Sequence, residues 1–482
     1  MFETGIRQFR MAMAMLNGRR IKPRLIHQLI ADADATLGEF GSPGDDVDDL
    51  LDGPFADPET RDHFQTRGLR HTARRLATRS PFYAARFAEA GVDPGRLTLE
   101  SLATIPVTTK ADLVDHAGAL LCRDTSPSLS TRTTGTTGRP VEVWLSRYEA
   151  ELWPAMAALS GLLRNEINHD DCLQINLSSR ATAAVQHDIE VCRLVGARSR
   201  ALGVLPVDQS IDSLLDARGG SAPTILGTYP SYLARLVRAA QRRGLGPHDF
   251  SLRRIDVAGE LLSQAVATGA HSTFGVRPSD TFAMTEVLPV SGRTCGQHHL
   301  HVDLNMGMAE VISLVGPRPA EPGEVGTMVV TPFFPYRDCM PVFRYDTRDL
   351  VRRLPDEQLS CNLAAVPALS PILGKADQAV AAGGRLVTPR DIVEVLEQLP
   401  GAPWPAQYRA AGTDRGLRLT VTPSTLAGTS AAELAARFAG IGIECIVDVA
   451  ASDEPLRSVR ADLLETTFTA DAPVVGLESI GA

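Results

Sequence analysis

The sequence predicts an α/β protein with a large N-terminal domain of layered sheets and helices and a small, mobile α+β domain behind it. Three observations carry that expectation. Between about residues 140 and 330, short apolar strand-like runs alternate with helical segments, as in 224–228, 230–243 and 255–258. Residues 371–384 hold Gly374, Gly383 and Gly384 and few large side chains, the composition of a hinge. The last hundred residues place strand-like runs 417–422 and 443–447 around a helix near 431–439. The expected division is therefore 1–374 and 375–482.

Taken in order, residues 1–60 read as helical and then acidic and turn-rich, with a loop at 41–46. Apolar spacing predicts helix over 67–90, interrupted at Ser80-Pro81 because proline cannot continue a helical hydrogen-bond ladder. Residues 105–113 resemble a helix start with a threonine cap. The run 141–145 alternates like a strand, and 389–399 reads as a helix.

Composition narrows the function. At 482 residues the chain can bury a large core, and its 44% hydrophobic and 22% charged content is that of a soluble globular protein. A formal net charge of -9 argues against a nucleic-acid surface. No apolar run approaches membrane-spanning length and the N-terminus lacks a secretory pattern, so neither membrane nor export is expected. Seven scattered cysteines suit a reducing compartment, and cytoplasmic residence follows. Of these, Cys122, Cys172, Cys192 and Cys445 sit in apolar settings and are expected in the core. Lysine is scarce: only Lys22, Lys110 and Lys375 occur among 48 basic residues, so lysine chemistry has three candidates.

The most informative segment is Thr131-Arg132-Thr133-Thr134-Gly135-Thr136-Thr137-Gly138-Arg139-Pro140. Its glycines let backbone approach a phosphate closely, while hydroxyls and N–H groups donate to the oxygens. It is not a Walker loop, which would need a Gly-Lys-Ser/Thr ending. A Thr/Gly-rich surface turn is the plain alternative for the segment taken alone.

The order of motifs resembles the adenylate-forming superfamily, and within it the phenylacetate–CoA ligase branch, from about residue 67 to about 460. Ser80-Pro81-Phe82-Tyr83 and Pro106-Val107-Thr108-Thr109-Lys110 are similar to the start of that branch. Thr133, Thr134, Gly135, Thr136, Thr137 and Gly138 fall in its phosphate loop, and Ala258-Gly259-Glu260 where it lines the adenine site. Phe282-Ala283-Met284-Thr285-Glu286 resembles its aromatic-Gly-x-Ser/Thr-Glu motif, which implies that Glu286 holds Mg²⁺ on ATP. Arg344-Tyr345-Asp346-Thr347-Arg348-Asp349 resembles the motif whose aspartate binds the ribose hydroxyls. Gly374-Lys375-Ala376-Asp377 resembles the hinge. Five motifs in order and spacing make the resemblance specific.

The implied chemistry suits these residue types. In-line attack of a carboxylate on the α-phosphate builds charge on both phosphate groups, so donors, Mg²⁺ and fixed orientation are required. Glu286 offers a hard oxygen ligand, and Asp349 two acceptors for a vicinal diol. Read singly, Glu286 is a solvated carboxylate and Asp349 an ion-pair partner of Arg344, Arg348 or Arg352.

The chain departs from the family where it matters. A C-terminal lysine grips the reacting groups in the family, but no lysine follows Lys375. Arg457, with Arg460 behind it, is the nearest basic candidate, and Lys375 is another. Arginine keeps the charge but is bulkier and forked. Ala283 also replaces the usual glycine, and Lys375 an arginine.

Cys295-Gly296-Gln297-His298-His299-Leu300-His301 concentrates one thiol and three imidazoles, and Cys361 precedes the hinge. Some members of the branch pair C-x₅-H with a C-x-C, a zinc-like set, to which Cys295, His301 and Cys361 correspond. His299 or Cys339 is left as fourth ligand. On the substrate side, the segment 227–232 resembles the branch's acyl-pocket segment, which nominates Tyr229 and Tyr232, with core packing as the alternative.

The resemblance implies ATP-dependent activation of a small aromatic carboxylic acid as an acyl-AMP, release of pyrophosphate, and transfer to CoA after the small domain swings about Asp377. ATP, Mg²⁺, CoA and a structural Zn²⁺ are the implied cofactors, and a homodimer is allowed for. Three alternatives stay open: amide formation, nitrite-dependent diazotisation of an aryl amine in secondary metabolism, and a non-catalytic nucleotide-binding homologue.

Overall fold

The computed structural model describes residues 2–41, 57–133, 141–178, 181–355, 361, 363, 366–453, 456 and 464–465. Five parallel strands form its centre, in the spatial order Arg198–Ala201, Cys172–Asn176, Ile225–Thr228, Arg254–Ala258 and Ser279–Ala283. Three antiparallel strands, Ser291–Thr294, Leu300–Val302 and Ala368–Leu369, extend the sheet to eight. Every residue of Cys172–Asn176 is buried, as a central strand covered on both faces requires.

The two faces have separate cores. Leu173, Ile175 and Ile225 pack with Cys192 and Val195 of the helix Thr182–Val195 and with the helix Arg147–Leu163. On the other face, Leu226, Ile255 and Val257 meet the helices Val207–Leu215, Pro230–Arg242 and Gln264–Phe274. The long helix expected at 67–90 is two helices, Pro58–Arg79 and Pro81–Glu89, broken at Ser80-Pro81 as proline dictates.

The α/β alternation ends at Ala283, earlier than the sequence pattern suggested. A second, antiparallel sheet follows, built from Gly307–Ser313, Val325–Pro332, Tyr345–Arg352 and Gly374–Lys375. Its turn-rich connections leave no helix to cross over, so the strands pair antiparallel. Arg344 enters the third strand in a left-handed conformation, φ 52°, which costs a non-glycine residue about 1–3 kcal/mol. Its buried guanidinium offsets that cost by binding Glu310 and the carbonyls of Leu102 and Ile105. The N-terminal segment is thereby tied down: Thr108 donates its N–H to Arg344 and accepts from Asp346 N–H at 2.8 and 2.9 Å. Thr109 then caps the helix Lys110–Asp115 through a reciprocal bond with Asp112.

The C-terminal region holds the sheet Cys445–Val449, Gly416–Val421, Tyr408–Thr413 and Leu464–Glu465 with the helices Pro389–Leu396 and Ala431–Gly440. Leu396, Tyr408, Leu419 and Phe438 form its own core. Gly383 and Gly384, at φ 57° and 75°, make the two-residue turn between Val380–Ala382 and Arg385–Val387. Positive φ at both positions is what such a hairpin demands. Of the four cysteines expected in the core, Cys122, Cys172 and Cys192 are buried, whereas Cys445 is half-buried on an edge strand. No helix among the described residues is long and apolar enough to cross a membrane.

Candidate active site

A cavity of about 490 Å³ opens at the ends of the central strands, where the second sheet and the C-terminal region meet them. Gly259, Glu260, Asp280, Phe282, Ala283, Asp349, Lys375, Arg390 and Leu456 are among the residues that line it. Motifs up to about two hundred residues apart in sequence thus converge on one space.

Local structure explains each position. Gly259 follows the strand Arg254–Ala258 at φ 82°, and the Tyr229 ring would lie 3.7 Å from any Cβ placed there. Glu260 accepts the Ser231 N–H at 2.8 Å, which fixes the start of the helix Pro230–Arg242. Phe282 is buried at the end of its strand, while the Ala283 methyl is exposed at the cavity wall and Thr285 is half-buried. Glu286 lies in the turn that follows and is buried.

Burial raises the Glu286 carboxyl above its ordinary range, and the nearby charges of Lys375 and Lys110 oppose that rise. The Tyr345 hydroxyl hydrogen-bonds to the same carboxylate. Asp349 and Lys375 are register partners in the second sheet. Lys375 Nζ donates to Asp349 Oδ2 and to the Thr347 carbonyl, both at 2.9 Å. Asp280, raised to about 6 by burial against the pull of Arg390, completes the acidic lining. Just past the last strand of the second sheet, Asp377 Oδ1 is sealed from solvent with no described partner.

Other expected residues divide. Thr133 closes the base of the phosphate-loop segment by exchanging two 3.0 Å bonds with Val141. Thr134, Gly135, Thr136, Thr137, Gly138 and Arg457 lie outside the described residues. Leu456, which precedes Arg457, lines the cavity. Tyr229 borders the site and its hydroxyl accepts the Ser178 N–H at 3.4 Å. Tyr232 does not face a substrate. Its ring is buried in the helical core and its hydroxyl donates to the Leu205 carbonyl at 2.6 Å, the partner a buried phenol requires.

The thiol and imidazole cluster assembles with His299 as its fourth member. Ligand atoms of Cys295, His299, His301 and Cys361 all lie within 4.8 Å of one another. The Val366 carbonyl engages His301 Nδ1 at 2.8 Å, leaving Nε2 toward Cys361 Sγ at 3.4 Å. His299 Nδ1 is buried without a described partner, and Cys295 Sγ accepts the His299 N–H at 3.4 Å. Two sulfurs and two imidazoles at this spacing fit tetrahedral Zn²⁺. Cys339 is not part of the set. It is buried elsewhere, its carbonyl accepting from Cys122 and its N–H donating to Glu149.

Lys110 and Tyr345 stand beside Glu286 although neither was picked out as a site residue. A signal for Lys110 was available, because two of the chain's three lysines act on this one carboxylate.

The chain is 25% identical over 355 residues to phenylacetate–coenzyme A ligase of Thermus thermophilus, covering 70% of this chain and 75% of that one. It is also 25% identical over 348 residues to phenylacetate–coenzyme A ligase of Pseudomonas putida, covering 68% and 74%. A crystal structure of 2-hydroxyisobutyryl-CoA ligase in the postadenylation state, in complex with 2-HIB-AMP, has the same fold. Its TM-score is 0.71 at 21% identity, over 84% of this chain and 89% of that one. These relatives and this structure support the adenylate-forming superfamily and, within it, a phenylacetate–CoA ligase-like branch. That places it among AMP-forming ligases. No family model matches the chain. Gly259, Phe282 and Asp349, from three of the motifs that carry the resemblance, line the cavity.

Proposed function

We propose that the chain activates a small aromatic carboxylic acid with ATP, releases pyrophosphate, and transfers the acyl group to CoA. The observation that supports this most is the convergence of Gly259-Glu260, Phe282–Met284, Asp349 and Lys375 on a single cavity, with Glu286 within reach of the Lys375 charge. Asp349 binds the ribose hydroxyls with the oxygen that Lys375 leaves free. Glu286 would hold Mg²⁺, which when bound neutralises charge on the phosphates. Burial of Glu286 excludes water from that position and strengthens its electrostatics. The Thr133–Gly138 loop donates to the phosphate oxygens.

Lys375 is the described cation nearest to replacing the missing C-terminal lysine, and Arg457 is the candidate beyond Leu456. The 1–374 and 375–482 regions then rearrange about Asp377 to admit the nucleophile. We also propose a structural Zn²⁺ on Cys295, His299, His301 and Cys361, where it would pin the antiparallel edge of the large sheet. Metal analysis of purified protein tests the zinc. About one equivalent is expected, with a Tm that falls on chelation, and a metal-free sample of unchanged Tm contradicts the assignment. Glu286→Gln tests the ligase reading: pyrophosphate release is lost with the fold intact, and undiminished release removes the assigned role.

A further inference from the structure

The strand Arg254–Ala258 has two faces, and the face opposite the Ile255–Val257 core is unusual. Arg254, Asp256 and Ala258 alternate onto it, and Asp256 is the register partner of Gly227. Gly227 shares this face with Ile225, whose core includes the helix Thr182–Val195. Because Gly227 has no side chain, Asp188 of that helix reaches over it, with Oδ2 3.9 Å from where a Cβ would stand. Two carboxylates therefore face one another across a glycine inside an α/β domain.

Neither carboxylate is satisfied. Asp256 gives Oδ2 to Arg254 Nε at 2.8 Å, but Oδ1 is sealed from solvent with no partner. Asp188 makes no hydrogen bond or ion pair among the described residues. Among the described residues, the cations on this face are Arg254, shared between Asp256 and Glu166, and Arg293, 3.9 Å from Glu166. The adjacent His187 is held neutral by burial, its pKa down to about 4, so it supplies no counter-charge. Burial and the neighbouring Asp256 push the Asp188 carboxyl up to about 7. Asp188 keeps partial solvent access and the Asp256 side chain is 35% exposed, so the pair faces space that a ligand can enter, and carboxylates left unpaired there point to a ligand that completes them.

The position says which part of a ligand. Asp256 lies two residues, about 7 Å, along the strand from Ala258. Ala258 immediately precedes the cavity residues Gly259 and Glu260. Thr281 and Ala283, which also line the cavity, share the face of Asp256 and Ala258 through the register Asp256 to Ser279 and Ala258 to Thr281. The N-terminal end of the covering helix is tied toward the phosphate-loop segment by Thr182 and Thr131, 3.2 Å apart. Asp256 thus lies beyond the cavity lining by roughly the span of a benzene ring with its two substituents.

We propose that Asp188 and Asp256 form the floor of the acyl pocket and bind the amino group of an amino-substituted carboxylic acid. The proposal rests on the ligase reading for the carboxyl end alone. A nitrogen-bearing substrate gives N–H groups to the two carboxylates, whereas its nitrogen-free analogue displaces water from them and leaves them unpaired.

The test compares matched pairs on the full chain: 3- and 4-aminobenzoate against benzoate, and 3-aminopropanoate and 4-aminobutanoate against propanoate and butanoate. Binding is measured by calorimetry, in parallel with pyrophosphate release from Mg-ATP. At least one amino acid should bind about 10²-fold tighter than its nitrogen-free partner. Asp188→Asn and Asp256→Asn, each checked by its melting curve, should bring that ratio close to one. Pairs that bind equally, or a ratio that both variants leave unchanged, overturn the proposal. Tight binding of an amino acid without pyrophosphate release upholds the pocket and counts against the ligase reading. Release that is indifferent to the amino group does the reverse.

Discussion

Two pairs of acidic residues in this molecule have opposite fates. Between the helix Arg147–Leu163 and the segment 336–340, Glu149 and Asp338 are fully buried and fully engaged. Glu149 accepts N–H bonds from Ser146, Asp338 and Cys339 and lies 3.6 Å from Arg337, while Asp338 accepts from Ser146 Oγ and Arg20. Across the central sheet, Asp188 has no described partner and Asp256 has one oxygen unpaired. The first group behaves as a structural joint, because its charges were neutralised when the chain folded. The second keeps partial access to solvent and is left open to a ligand.

The comparison is broken most readily at Glu149. Glu149→Ala leaves Arg337 buried and uncompensated, and unfolding free energy should fall by about 3–5 kcal/mol. A denaturant midpoint like that of the parent would mean that the joint carries no stability.

Glu286 shares features of both groups, being buried yet positioned for ligand. Glu286→Gln should lower kcat/KM by about 10²-fold or more, with an unchanged or slightly higher Tm because a desolvated charge is gone. Its raised pKa also sets a direction for pH dependence. The ionised form is needed, so activity should fall as pH drops through that raised value. A flat acid limb in kcat/KM would remove Glu286 from the reaction.

Asp188→Asn sharpens the contrast with Glu149, since its effect should have the opposite sign. The folded-state pKa of about 7 lies above the ordinary aspartate value of 3.8. The folded state therefore holds the proton more tightly, and stability falls as pH rises from about 4 to about 7. Removing the carboxyl should flatten that slope and raise stability at pH 8 by about 1–3 kcal/mol. Parallel pH–Tm curves for parent and variant would show that Asp188 already has a partner. The smallest effect is expected at Tyr232→Phe, about 1 kcal/mol of stability from the lost bond to Leu205; a change in substrate preference there would return Tyr232 to the pocket.

Much of the fold was legible because local chemistry and tertiary structure agree. Ser80-Pro81 divides two helices and Thr109 caps another, whereas Gly383-Gly384, expected in a hinge, turn a hairpin. The antiparallel sheet was not legible, since its strands lie beyond the last regular alternation and are paired by short connections rather than helices. In the site, Glu286, Asp349 and Lys375 were readable from motifs, and structure adds that Lys375 pairs with Asp349 through strand register. Asp188 and Asp256 were invisible because no spacing links a helix to a strand 68 residues away. Only the packing over Gly227 brings them together. His299 could be named as one of two possible fourth ligands, but choosing it over Cys339 required the hairpin between Ser291–Thr294 and Leu300–Val302.

The most direct test of the account is pyrophosphate release from Mg-ATP by the full chain, measured across aryl and amino-substituted acids with and without CoA, and with aryl amines plus nitrite as a separate arm. The account predicts release that requires a carboxylic acid and rises with CoA. Release that requires nitrite and an amine instead, or ATP binding with no release on any acid, would contradict it.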